Sequence, residues 1–252
     1  MDASTAWEQT QIARLFLRHN AKPKTIIFSL DTMVWCNPVA DQQRVTFRLF
    51  PETFYDENPY NDFADILNIE LWDALRKSVK MAVGSRSPYQ DGDGFGDFTP
   101  GEENYDAEHA RKRIHENPLP VPSSTPLSAE EVANLTFPAL RWLDETLDTI
   151  PDETTTIIVR MPVNVTAQTY PKTHAEQSER ECVRRIEAIA GKHGVPVYDM
   201  AFASDITTND LNYWDNIHFR LPVGEQVVKE LGRAYETGQS SSVLKIIKPQ
   251  NR

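Results

Sequence analysis

Asp215 and His218 lie three residues apart near the end of this 252-residue chain, in the sequence Asn-Tyr-Trp-Asp-Asn-Ile-His-Phe. At that spacing the carboxylate can accept a hydrogen bond from one imidazole nitrogen, and the other nitrogen can then act as a base. The pair therefore supplies two of the three groups of a Ser-His-Asp triad. A helix-entry aspartate beside a surface histidine gives the same spacing, so the motif alone leaves both interpretations open.

The sequence on either side places this pair on a loop, where catalytic groups are often found. A polar run over residues 204–210 precedes the pair, and an amphipathic helical pattern over residues 222–235 follows it. Compact apolar runs further upstream predict buried strands at residues 25–30, 155–161 and 195–200. Helical patterns alternate with these runs, which predicts an α/β fold with a parallel sheet and right-handed crossovers.

Local patterns also predict where several helices lie. Thr5 with Glu8, and Ser128 with Glu131, have the spacing of capping boxes, so a helix is expected to begin at each place. An apolar stripe at helical spacing over residues 62–84 predicts a further helix that packs in the core.

With its flanks, the Asp215–His218 segment resembles the last conserved block of the SGNH (GDSL-like) hydrolase superfamily. In that family an Asp-x-x-His near the chain end supplies the acid and base of the triad. The resemblance is closest to uncharacterised bacterial SGNH-like proteins with Tyr-Trp-Asp-x-x-His before a final amphipathic helix. It implies a three-layer, flavodoxin-like parallel sheet flanked by helices. It also implies an esterase or acyltransferase that acts on small-molecule or carbohydrate esters, O-acyl sugars among them, without a cofactor or metal ion.

The family's nucleophile block is absent from the chain. SGNH proteins carry their serine in a Gly-Asp-Ser block after the first strand, and neither that block nor Gly-x-Ser-x-Gly occurs here. We therefore expect a protein that lacks the first strand or strands and is incomplete or inactive as encoded. Either the native protein begins upstream of Met1, or the nucleophile was lost and the domain is a non-catalytic binding module. Ser29 and Thr32 are substitute nucleophiles, but neither lies in the sharp strand-to-helix turn that usually presents a catalytic serine.

Asp31 and Asn164 each follow a predicted strand. Ligands of open α/β sheets gather at the carboxyl ends of strands, so both residues are candidates for the oxyanion site or the substrate rim. In the SGNH family the block that corresponds to Asp31 reads Gly-x-Asn-Asp, and its Asn donates to the oxyanion. An ionised aspartate cannot donate. Capping by Asp31 and turn hydrogen bonding by Asn164 are the competing interpretations.

Charge and composition restrict the partners and the compartment. A net charge of −11 and a pI near 5.0 argue against nucleic acid and against an anionic membrane surface. Neither a membrane-spanning run nor a signal-peptide pattern is evident, which predicts a cytoplasmic protein as encoded, although a longer native form could be exported or anchored. Cys36 and Cys182 lie in different predicted elements, so both are expected to be buried thiols.

The chain is predicted to be one domain with an irregular polar insertion at about 85–126 and a C-terminal tail at about 239–252. Within the insertion, residues 91–102 partly match a calcium-binding loop, with Glu102 as the last ligand. Phe95 replaces an oxygen ligand of that loop, so a flexible acidic loop is the competing interpretation. The other histidines are predicted to be scattered over helix and loop surfaces, which argues against a metal-dependent phosphoesterase.

Overall fold

The computed structural model describes residues 4–39, 52–56, 58, 60–62, 69–83, 101–116 and 126–249. The chain divides into two compact units, one of Ala3–Val45 with Gly101–Arg252 and one of Thr46–Pro100. The candidate site belongs to the first unit. Among the described residues, no helix has both the length and the apolar character needed to cross a membrane.

The first unit is built on a four-stranded sheet that is mostly parallel. Its strands follow one another across the sheet as β1 (Thr25–Ser29), β2 (Thr155–Arg160), β3 (Val197–Asp199) and β4 (Lys245–Lys248). β1, β2 and β3 are parallel, and β4 runs antiparallel to β3. Helices flank the sheet, so the predicted α/β class is confirmed.

The helices, in chain order, are α1 (Ala6–His19), α2 (Thr32–Trp35), α3 (Ile69–Ala82), α4 (Ala107–Glu116), α5 (Ala129–Ala133), α6 (Ala139–Leu147), α7 (His174–Lys192) and α8 (Leu221–Thr237). Both predicted capping boxes form, at the starts of α1 and α5. In each box, side-chain oxygens accept hydrogen bonds from two backbone N–H groups that the helix itself leaves without a partner. These bonds fix the helix start.

β1 differs from its prediction as a strand buried on both faces. Its residues alternate between exposed and half-buried, and Ile27 is 49% exposed. β2 instead has five buried residues in a row, including Ile158 and Val159 at 0% exposure. The difference follows from position, because β1 lies at one edge of the described sheet and β2 has a strand on either side.

The predicted C-terminal tail is also corrected, because residues 245–248 form β4. Gly238 caps α8 directly after Thr237, and its φ of 66° is the left-handed conformation that commonly terminates a helix. The chain then turns back, and Val243 and Leu244 enter the core at 6% and 0% exposure. Both residues belong to a cluster of buried side chains from β2, β3, α8 and the segment before β4. The cluster also includes Ile157, Val159, Tyr198, Met200, Val223, Val227 and Leu231.

Cys36 and Cys182 form a disulfide, so their prediction as two thiols was wrong. Cys36 is the C-cap of α2, and Cys182 is a fully buried residue of α7. The fold brings their Cα atoms within 5.8 Å although 146 positions separate them in sequence. Spacing along the chain cannot reveal a bridge between elements this far apart.

In the second unit, α3 lies within the predicted helix of residues 62–84, whose residues 63–68 and 84 lie outside the described part of the chain. Trp72, Leu75 and Val79 are 56%, 52% and 53% exposed. The prediction that this stripe is core was therefore wrong for these three side chains.

Candidate active site

The Asp215–His218 pair lies in a tight turn between β3 and α8. Tyr213 and Phe219 form an antiparallel bridge on either side of the turn, and the Trp214 N–H donates to the His218 carbonyl at 2.8 Å. Tyr213 is 0% exposed, which anchors the start of the turn in the protein interior. The loop position predicted for the pair is confirmed.

The two side chains of the pair are hydrogen bonded to each other. His218 Nδ1 lies 2.9 Å from Asp215 Oδ1 and 2.8 Å from Oδ2. Asp215 Oδ1 also accepts the backbone N–H groups of Ile217 at 3.0 Å and His218 at 2.9 Å. The carboxylate thus caps its own turn and orients the imidazole, so the two interpretations of this motif are compatible.

Electrostatics keep Asp215 ionised. Burial raises the pKa of this carboxyl, but hydrogen bonds from the His218 ring and from the amides of Ile217 and His218 outweigh burial and hold the pKa at about 2. The Asp215 side chain is 13% exposed, whereas that of His218 is 68% exposed. A half-buried carboxylate therefore faces Nδ1, and Nε2 lies on the opposite side of an exposed ring.

Helix α4, from the predicted insertion, contacts the loop that carries the pair. Arg113 Nη2 donates to Asp215 Oδ2 at 3.2 Å. His115 Nε2 lies 2.9 Å from Asp210 Oδ2, and Arg111 Nε lies 3.8 Å from the same oxygen. The described part of the insertion, residues 101–116, therefore supports the loop that carries the pair. Its basic residues gave no motif that would have indicated this contact.

The start of the same segment is fixed to the entry of α8. Glu102 accepts the Arg220 Nε–H at 2.8 Å and the Leu221 N–H at 3.0 Å. The Arg220 guanidinium lies 3.7 Å from the centroid of the Tyr105 ring, and that ring packs edge-on against Trp214 at 5.1 Å. These contacts attach the segment before α4 to both ends of the turn.

The calcium interpretation can be compared with the structure only at its last ligand. The other proposed ligand positions, residues 91–100, lie outside the described part of the chain. Both oxygens of Glu102 accept hydrogen bonds from Arg220 and Leu221. A calcium ion at this carboxylate would have to displace those two partners.

The other residues predicted for the site lie at the ends of strands. Asp31 is the N-cap of α2 and accepts the Met33 N–H at 2.8 Å, which is the capping role; its role in an oxyanion site stays a prediction. Ser29 ends β1 and is exposed. The Thr32 hydroxyl donates to Glu179 at 3.3 Å rather than to His218. Their roles as substitute nucleophiles likewise stay predictions.

Asn164 connects the loop after β2 to the loop of the pair. Its Oδ1 accepts the Thr166 N–H at 3.0 Å, which is the predicted turn role. Its Nδ2 donates to Asp210 at 3.1 Å, and its backbone N–H donates to the Asn216 carbonyl at 3.0 Å. Because Asn164 is 0% exposed, it supports the turn from the protein interior, and its contact with substrate stays a prediction.

A buried ion cluster at the carboxyl ends of β2 and β3 was not predicted. Arg160 and Asp199 are each 8% exposed, and Arg160 Nη1 donates to Asp199 Oδ2 at 3.0 Å. Arg160 Nη2 donates to Glu179, which also accepts the Thr169 hydroxyl at 2.6 Å and that of Thr32. Arg160 and Asp199 each end an apolar strand. A charged residue at the end of each of two such strands is the sequence signal that could have indicated this cluster.

Asp144, Asp148 and His193 lie close enough to offer ligand atoms to a metal ion. His193 is not the surface residue that was predicted, because its side chain is only 11% exposed. Its Nε2 lies 2.6 Å from Asp144, and its Nδ1 lies 3.6 Å from Asp148. Lys192 Nζ also donates to Asp144 at 3.0 Å, so an ammonium group already compensates the carboxylates. These contacts join the C-terminal ends of α6 and α7, and the positive charge of Lys192 is favourable at the C-terminus of α7.

No family model, curated protein or solved structure matches this chain. Of the three Asp–His pairs described above, Asp215–His218 is the one in which the carboxylate is hydrogen bonded to Nδ1, as in a Ser-His-Asp triad; His115 and His193 contact Asp210 and Asp144 through Nε2.

Proposed function

We propose that Asp215 and His218 are the acid and base of a Ser-His-Asp triad in an SGNH-type ester hydrolase or acyltransferase. The observation that carries the proposal is that His218 Nδ1 is within 2.9 Å of both oxygens of the half-buried Asp215 carboxylate. An ionised carboxylate at Nδ1 selects the tautomer in which Nε2 is the basic nitrogen, and it stabilises the imidazolium that forms during reaction.

The reaction would proceed in two steps. His218 Nε2 takes the proton of a serine hydroxyl while the serine oxygen bonds to the ester carbonyl carbon, and the imidazolium then returns that proton to the departing alcohol. Water or an acceptor alcohol next attacks the acyl-serine, with His218 again as the base. The products are a carboxylic acid or a new ester, and the serine is regenerated. The family resemblance implies O-acyl carbohydrates as the substrate class.

The order and direction of the strands support the flavodoxin-like fold that the SGNH resemblance implies. β1, β2 and β3 are parallel and adjacent in chain order, as strands 3, 4 and 5 are in a doubly wound sheet of order 2-1-3-4-5. In the described residues no strand pairs with the outer edge of β1, where that order has strand 1. The family carries its serine directly after that strand.

The test is labelling of the native protein, purified from its own source, with a fluorophosphonate that reacts with activated serines. We expect one labelled serine, identified by peptide mass spectrometry, and hydrolysis of p-nitrophenyl acetate. His218→Ala should abolish labelling and lower turnover by about six orders of magnitude, because triad members act as a unit. His109→Ala, which removes an exposed imidazole from α4, is the matched control and should retain both activities.

Absence of both labelling and hydrolysis in the native protein would contradict the proposal. The competing hypothesis is a non-catalytic SGNH-like binding module. It predicts that the protein binds an acylated sugar equally well in the wild type and in His218→Ala, so isothermal titration of an O-acetylated oligosaccharide distinguishes the two hypotheses.

A further inference from the structure

The carboxylate of Asp215 is held from two sides. His218 Nδ1 lies 2.8 Å from Oδ2, and Arg113 Nη2 donates to the same oxygen at 3.2 Å. Oδ1 accepts the backbone N–H groups of Ile217 and His218. Rotation of the carboxylate about its Cβ–Cγ bond would therefore break contacts with both the turn and α4. Of these donors, Arg113 alone comes from outside the turn.

We propose that Arg113 is a positioning residue, which holds the Asp215 carboxylate in the orientation that the His218 imidazole requires. This inference rests on the proposed function, because it assigns Arg113 a role in the same acid-base pair. Its guanidinium is permanently charged and planar, so it gives a directional bond to a carboxylate at any pH at which the protein is folded.

The helix that carries Arg113 is itself firmly placed. Asp106 caps the start of α4 by accepting the N–H groups of Glu108 and His109 at 2.9 and 3.0 Å. Ala110 and Ile114, one helical turn apart, are 2% and 0% exposed and anchor one side of α4. Because Arg113 adjoins Ile114, burial of that isoleucine fixes the backbone from which the guanidinium reaches Asp215.

The charges around the imidazole define the effect of removing Arg113. Asp215 faces His218 from its own turn, and Arg113 faces Asp215 from α4. The other charged groups of α4 near this loop, Arg111 and His115, contact Asp210. Without Arg113, the Asp215 carboxylate would lose one cationic partner and attract the protonated imidazole more strongly. The base form of His218 would then require a higher pH.

The test is an NMR titration of the His218 ring in protein labelled with 15N-histidine. Arg113→Ala should raise the titration midpoint of His218 by about 0.5 pH unit, the size of a charge interaction screened by water over a few ångströms. The 15N shifts should also show a smaller fraction of the tautomer protonated at Nδ1. Arg113→Lys keeps the charge but lacks the planar guanidinium. Its titration midpoint should therefore be closer to the wild-type value than its tautomer fraction is.

Lys112→Ala is the matched control, since it removes the same charge from the neighbouring, exposed position of α4. It should titrate like the wild type. If Arg113→Ala is poorly folded, Arg113→Gln, which removes the charge but keeps a shorter polar side chain, is measured in its place and should also raise the midpoint. A tautomer fraction equal to that of Lys112→Ala would overturn the inference, because a change in the midpoint alone would show only the loss of a charge. Because the titration requires no turnover, this result is independent of the labelling test of the proposed function.

Discussion

Breaking the Cys36–Cys182 bridge should lower the free energy of unfolding substantially. A disulfide restricts the unfolded chain in proportion to the logarithm of the loop that it closes, and this loop spans 146 positions. On the chain-entropy relation, a loop of that length corresponds to about 5 kcal/mol at 25 °C. The bridge also joins α2 to α7, the helices that carry Thr32 and Glu179, so its loss should loosen that contact as well.

The measurement is equilibrium unfolding in guanidinium chloride of the oxidised wild type and of Cys36→Ala/Cys182→Ala. The variant should be less stable by about 5 kcal/mol, and dithiothreitol should lower the stability of the wild type but leave that of the variant unchanged. Each single alanine variant should lose nearly as much as the double variant, because either change breaks the bridge.

A thiol count provides the decisive control. Two thiols titrated in denatured, unreduced wild-type protein would refute the disulfide, and a double variant within about 1 kcal/mol of the wild type would refute the magnitude. The same count on protein alkylated inside its own cells tests the expected cytoplasmic location, because stable disulfides are typical of oxidising compartments.

Two further predictions concern charged groups of the first unit. The pKa of Asp215 is about 2 when folded against an ordinary 3.8, so this carboxyl should contribute about 2 kcal/mol above pH 4 that is lost as the pH falls through 2. Urea unfolding should show the stability gap between wild type and Asp215→Asn closing over that range, and a gap independent of pH would contradict the prediction. Arg160→Met should cost about 3 to 5 kcal/mol in the same assay, because it leaves Glu179 and Asp199 without their cation. Adding Glu179→Gln and Asp199→Asn should recover much of that loss, and a single variant as stable as the wild type would refute the role of the cluster.

The sequence by itself determined the features that depend on neighbours in the chain. The capping boxes at Thr5 and Ser128 fixed two helix starts, since their partners lie three residues away. The same reasoning predicted the hydrogen bond between Asp215 and His218, and the structure contains it. Apolar runs also located β1, β2 and β3, because a strand's apolar and β-branched residues are visible in its own sequence, whereas its burial is not.

Tertiary structure alone decided which distant residues meet. Arg113 lies 102 positions from Asp215, and Arg160 lies 39 positions from Asp199, yet each pair forms a direct ion pair. The disulfide, the exposure of β1 and the pairing of residues 245–248 as β4 likewise depend on the order of strands across the sheet. A short motif specifies its own hydrogen bonds. Contacts between separate elements exist only after the whole chain has packed, because burial and strand order bring their side chains together.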